Sequence, residues 1–269
     1  MRVTQPIAAL AIALTATGIR PLAAQIDYRN LDDHRPVRTE DAYPIERYAF
    51  ELLVPYEYEN APAGEAHHAL TPELGYGVLA NTQVGLKLPF AAVDGADGTD
   101  WGFAGPRLFA LYDFNTEGRT LPGLALRADV ALPVGGLAGD NAQLTLKGIA
   151  TRGWGRTRLH LNGGVTLGDE AGRPEVGAEA NWAVSVAADR TILRQSLLVV
   201  GEIGVLEAAS NAPTEVTAGL GVRYQLTPTL VLDAGVSRRL VEDAGPDLGL
   251  TFGLSHAFAL AGLMPRVVR

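Results

Sequence analysis

The chain of 269 residues has no cysteine. That excludes disulfides, thiolate metal centres and cysteine nucleophiles, and leaves an exported location open because strand closure can replace covalent staples. Although 47% of its residues are hydrophobic, the chain beyond its N-terminus has no apolar run of about 20 residues, the length that a spanning helix needs. Basic residues are outnumbered, with 22 Lys and Arg against 30 Asp and Glu. A nucleic-acid partner needs a basic surface and is therefore not expected. There is no Gly-Lys-Ser/Thr phosphate cradle and no Gly-x-Ser-x-Gly nucleophile elbow. His34 and the pair His67-His68 do not read as a metal site, because neighbours on a strand point to opposite faces and no third ligand stands at a suitable spacing. No cofactor, no metal and no enzymatic activity are expected.

The N-terminus reads as a secretory signal peptide over 1–24. Arg2 gives a positive start, Ile7 to Leu14 a short apolar core, and Leu22-Ala23-Ala24 before Gln25 a small-residue cleavage site. Losing this segment, with Arg2 and Arg20 and no acid, moves the net charge from −8 to −10. Residues 25–45 are polar, charged and aperiodic. They read as a periplasmic leader or as a segment tucked into a lumen.

From Glu46 to Phe258 the pattern is alternation, apolar against polar or small, at the period of a strand. The first run sets Tyr48, Phe50, Leu52, Val54, Tyr56 and Tyr58 against Glu51 and Glu57. Comparable runs follow over 70–78, 83–90, 107–114, 124–132, 143–147, 158–165, 178–186, 196–205, 216–225, 230–239 and 248–258. The fourth is noisy, since Phe109 and Leu111 fall on its polar face. About twelve strands of this length suit tilted membrane strands rather than the shorter strands of soluble proteins. An even number lets a closed antiparallel sheet begin and end on one side. Links alternate in character: tight turns near Asn81, Gly155-Arg156 and Pro228, and acidic, glycine-containing links at 94–100, 168–174 and 242–247. Pro55, Pro72, Pro89, Pro106 and Pro133 are expected toward the outer strand ends, because proline cannot donate a ladder hydrogen bond. The expectation is an all-β fold, a transmembrane antiparallel up-and-down β-barrel over 46–258 in a bacterial outer membrane, followed by a short tail over 259–269.

Alternation does not say which face meets lipid. The apolar stripe is nearly free of charge, the other stripe mixes small residues with charges, and aromatics gather near strand ends, so the apolar stripe is assigned to lipid. An Arg or Lys on that stripe at the midplane would cost about 2–4 kcal/mol. The candidate lumen-lining residues are then Glu51, Lys87, Arg127, Asp129, Lys147, Arg158, His160, Glu179, Glu202, Arg223, Asp233 and Arg239. They either line a pore and set its selectivity or fill it with cross-strand ion pairs. Both signs are present, so no ion preference follows. His160, Asn162 and Ser185 share polar faces of adjacent strands, but are read as lumen residues rather than as a catalytic constellation.

Arg35-Pro36-Val37-Arg38-Thr39-Glu40-Asp41-Ala42, followed by Phe50-Glu51-Leu52, resembles the MetA-pathway of phenol degradation family of outer-membrane proteins. Thr71-Pro72-Glu73-Leu74 with Tyr76-Gly77 matches its second strand; Gly221 to Pro228 and Leu248 to Phe258 match its end. The resemblance implies a barrel that transports small, including aromatic, solutes, and it carries no site residues across. It also implies outer-membrane lipids and the barrel assembly machinery as partners. Ala259 to Arg269 departs from it, since members end on the terminal aromatic of the last strand.

Overall fold

The structure, a computed structural model, describes residues 21–22, 26–60, 66–95, 98–168, 180–193, 196–208, 212–242 and 244–264. Apart from Pro21–Leu22, the segment read as a signal peptide lies outside these residues, as does Glu179.

Every strand pairs antiparallel with its neighbours. A two-residue stub, β1 (Pro21–Leu22), lies against the end of the last strand. Next come β2 (Ala49–Leu53), β3 (Tyr56–Asn60), β4 (Ala66–Leu70), β5 (Glu73–Leu79), β6 (Thr82–Lys87), β7 (Phe90–Gly95), β8 (Gly98–Phe103) and β9 (Arg107–Asn115). These eight segments make four spanning strands, each broken once. Eight unbroken strands follow: β10 (Gly123–Ala131), β11 (Gln143–Trp154), β12 (Thr157–Leu167), β13 (Trp182–Ile192), β14 (Leu197–Glu207), β15 (Glu215–Thr227), β16 (Leu230–Arg239) and β17 (Leu248–Leu260). Pairing of β17 with β2 and β3, and of β9 with β10, closes a twelve-stranded barrel. Closure leaves no free sheet edge.

The four breaks fall at Pro55, Pro72, Pro89 and Pro106. This corrects the expectation that these prolines sit toward strand ends, since each stands between the two halves of its strand. The ladder survives because only the donor is lost. The carbonyls of Pro55, Pro72, Pro89 and Pro106 accept from the amides of Thr71, Leu88, Ala104 and Leu132 on the next strand, at 3.1, 2.8, 2.9 and 3.0 Å. A second difference concerns the eighth run. It was expected over 178–186, whereas β13 extends to Ile192, and the residues beyond Val186 keep the same alternation.

Along the middle of β12 to β15 burial alternates, with Leu159, Leu161, Val184, Val186, Ile203, Leu220 and Val222 exposed outside. Inward go Arg158, His160, Asn162, Ser185, Asp189, Glu202 and Arg223, all buried. Phe50, Tyr76 and Phe258 stack outside the β2–β5–β17 seam, with ring centroids 4.5 and 5.4 Å apart. The chain enters β2 and leaves β17 at one end of the barrel, where the links Ala80-Asn81, Gly155-Arg156 and Pro228-Thr229 are two-residue turns. At the other end the longer link over 132–142 folds back and buries Leu137 against Ala91, Val93 and Ala104.

Candidate functional site

Residues 26–45 run inside the barrel. Of the two placements open to the leader, the structure shows the lumenal one. A periplasmic leader would have left the lumen charges facing water; here they face the leader. The Ile26 amide bonds the Pro228 carbonyl at 3.0 Å, and the chain climbs past a turn in which Asn30 N–H bonds Asp27 C=O at 3.0 Å. It reverses at His34, whose φ of 64° is the left-handed conformation that a reversal needs. It then descends to Ile45 beside its own first limb: Asp41 N–H bonds Leu31 C=O at 3.1 Å, and Leu31 N–H bonds the Asp41 carboxylate at 3.2 Å.

The wall is shaped to admit this loop. A Cβ at Gly235 would lie 1.9 Å from the Pro36 carbonyl oxygen, and one at Gly221 would lie 2.6 Å from the Pro36 ring. Gly221 and Gly235 are partners across β15 and β16, so two glycines side by side form the recess under Pro36. Apolar packing adds to this. Ile26, Tyr28, Leu31 and Val37 bury against Ala187, Leu198, Val200 and Val231, while Ala42 buries against Leu111, Ala125 and Ile149. Leu111 is thereby explained as a seat for the leader. Phe109, the other irregular residue of that run, lies under the Arg127 guanidinium at 4.0 Å.

Most of the expected lumen charges converge on the leader. Asp33 meets Lys87 at 2.6 Å, meets Lys147, and lies 3.8 Å from Arg127. Arg127 also pairs with Glu40 at 2.6 Å and with Asp129 at 2.8 Å. Arg158 joins Asp41 at 2.8 Å to Asp189 at 2.6 Å. Arg223 meets Asp32 at 2.5 Å, and Asp233 meets Arg35 at 3.2 Å. Glu202 accepts the amides of Arg38 and Thr39 at 3.2 and 2.5 Å. Glu51, 2% exposed, lines a cavity of about 240 Å³ with Ile26, Tyr43 and Ile45. Arg239 stands apart at the far rim, paired with Asp247 at 2.6 Å.

Asn162 and Ser185 face each other across β12 and β13, but His160, Asn162 and Ser185 make no hydrogen bond with one another. His160 bonds Asp189 at 3.0 Å and Thr151 at 3.0 Å; Asn162 exchanges bonds with the Glu40 backbone; Ser185 bonds Thr39 at 2.7 Å. Thr151, His160 and Asp189 form a hydroxyl–imidazole–carboxylate chain, but the Thr151 oxygen accepts the Ala42 amide at 3.0 Å and is wholly buried. No substrate reaches it while the leader is seated.

Sequence reasoning missed Asp189, although the parity of its own run, continued three residues, points it inward. It also missed the leader's acids as partners of the wall, since an aperiodic segment carries no face.

Burial raises the Asp33 carboxyl, but Lys147, Lys87 and Arg127 outweigh it and hold Asp33 well below the usual carboxylate range. Asp32 is likewise lowered, burial being outweighed by Arg223 and Arg35. For Glu40 burial dominates despite Arg127 and Lys147 and pushes the carboxyl up to about 7; Asp41 is raised for the same reason. Lowered acids favour the seated leader above about pH 4 and lose that contribution as pH falls through their depressed values. Raised acids favour it most at low pH and lose that contribution as pH rises through their elevated values. Protease digestion of the leader against pH should therefore show a minimum between about pH 4 and 6, rising on both sides. A monotonic profile would contradict these assignments.

The described features match a known group. A family model described as "Putative MetA-pathway of phenol degradation" matches residues 65–258. The chain belongs to this family. The matched span takes in the barrel from β4 to Phe258, and with it the strand motifs from Thr71 onward; the leader and the Phe50-Glu51-Leu52 strand precede it. Among solved structures, the COG4313 outer membrane channel from Pseudomonas putida F1 is similar at a TM-score of 0.64 and 13% identity, over 85% of this chain and 100% of that one. The KdgM porin is similar at a TM-score of 0.54 and 10% identity, over 77% of this chain and 98% of that one. At such identities the likeness concerns the barrel fold. No curated protein sequence matches the chain.

Proposed function

We propose that this family member is an outer-membrane channel for small solutes whose lumen is closed by its own leader. The observation that carries the reading is the seating of residues 26–45 on inward charges from β6, β10, β11, β12, β14, β15 and β16. A filler held by polar and ionic contacts can exchange them for water, whereas a barrel filled by its own wall side chains cannot be emptied. The end bearing the short turns and both chain ends then faces the periplasm, and the exposed leucines and valines face lipid. Recognition of β17 by the barrel assembly machinery belongs to the same reading. The porins and channels among similar folds, and the covered Thr151–His160–Asp189 chain, favour transport over catalysis. The family description directs attention to phenol-sized aromatic solutes.

The test is solute entry into proteoliposomes, by the intact chain and by a chain lacking residues 26–45. Entry of phenol-sized solutes, faster without the leader, supports the channel. A folded barrel that admits nothing in either form would make it a structural barrel.

A further inference from the structure

The outer face of β13 to β16 departs from the rest of the lipid-facing surface in two ways. First, it is indented. Two rows cross these strands in register, Ala188–Gly201–Leu220–Val236 and Val186–Ile203–Ala218–Arg238. The small residues Ala188, Gly201 and Ala218 form the floor of a depression of about 520 Å³, and the longer apolar side chains stand around it. Second, it carries a charge. Arg238 is exposed, and its neighbours along the strand on the same face are Val236 and Leu240. Among the described residues no acid pairs with Arg238 and no hydrogen-bond acceptor takes its guanidinium. An unpaired cation on an apolar face is costly in hydrocarbon, and an arginine relieves that cost by stretching its stem along the surface toward an anion. A guanidinium also matches a phosphate with two parallel hydrogen bonds.

We propose that this depression is a lipid-binding site, in which an acyl chain lies over Ala188, Gly201 and Ala218 and the phosphate of its headgroup meets Arg238. The inference rests on the outer-membrane reading above. Arg238 lies near the end of β16 that adjoins the longer links, so the lipid belongs to the outer leaflet. The occupant is a phosphate-bearing glycolipid of that leaflet rather than free phosphate, because the apolar floor contributes only to a molecule with a chain.

The site is tested by native mass spectrometry of the mature chain in mild detergent, titrated with lipid A bearing phosphate groups, with its dephosphorylated form and with phosphatidylcholine. One phosphorylated lipid should bind in preference. Arg238→Gln should weaken it about tenfold, the loss of one bidentate phosphate contact. Gly201→Leu, which fills the floor, should abolish it, and Arg190→Gln, outward at the opposite end of the barrel, should leave it unchanged. Heat-modifiable gel mobility reports that each variant is folded. Binding unaltered by Arg238→Gln and Gly201→Leu would overturn the site. So would full competition by inorganic phosphate, or a dimer that forms through this face in place of lipid. A chain that folds in buffer without detergent would instead overturn the membrane reading.

Discussion

Removal of residues 26–45 should raise the conductance of the reconstituted barrel on the order of tenfold, because a twelve-stranded wall encloses more space than its own side chains fill. The leader occupies that surplus. Without it, Leu111, Leu198, Val200 and Val231 lose their apolar cover, and the cations Lys87, Arg127, Lys147, Arg158 and Arg223 lose carboxylate partners. Water and counter-ions take those places, and ions then have a path. The wall itself should persist, since β10 to β17 pair over their full lengths without the leader's help. Single-channel recording gives the result. A truncated chain that is folded by gel mobility yet conducts no better than the intact one would show that the lumen closes by another route.

Asp33→Asn should have the next largest effect. Its carboxylate is 1% exposed and is shared by Lys87, Lys147 and Arg127. Breaking a buried pair by removing one partner costs about 3–5 kcal/mol, because the remaining charge stays buried without compensation. Arg127 keeps Glu40 and Asp129, but Lys87 is left with Glu73 at 3.9 Å and Lys147 with Glu40 at 3.7 Å, which makes this an unfavourable seat. The balance between seated and withdrawn leader should therefore move by about two to three orders of magnitude, read as open probability in bilayers. Adding Lys87→Met and Lys147→Met to Asp33→Asn should recover much of the closed state, because the two cations left poorly paired are then removed as well, while Arg127 keeps Glu40 and Asp129. An Asp33→Asn chain as closed as wild type would mean that the apolar contacts alone hold the leader.

The barrel was legible in the sequence because a wall with lipid on one side and polar surroundings on the other must alternate at every strand, and β12, β14 and β15 do so almost without exception. The inward charges were legible for the same reason. What could not be read was their purpose. Lining a pore and filling a lumen both ask for inward Lys87, Arg127 and Asp233, and the third arrangement, pairing with an inserted segment, depends on contacts between residues far apart in the chain, such as Thr39 with Ser185. The clues lay in irregularities. Phe109 and Leu111 break alternation where the leader or a stacked guanidinium needs an apolar surface. Gly221 and Gly235 read as generic barrel glycines until Pro36 is seen over them. The prolines were read through the donor they lack, when the carbonyl they keep is enough to carry the ladder across mid-strand. Arg238, an outward charge on the apolar stripe, is easily overlooked because the stripe is so nearly uncharged.

The chain's lack of cysteine makes one measurement especially clean. The Thr39 and Ser185 hydroxyls touch at 2.7 Å, the first on the leader and the second on the wall. Thr39→Cys combined with Ser185→Cys should oxidise to an internal disulfide without added cross-linker, hold conductance at its closed level, and regain wild-type gating on reduction. Two thiols that stay reduced in the folded protein, or a cross-linked chain that gates as freely as the reduced one, would mean that the leader does not close this barrel.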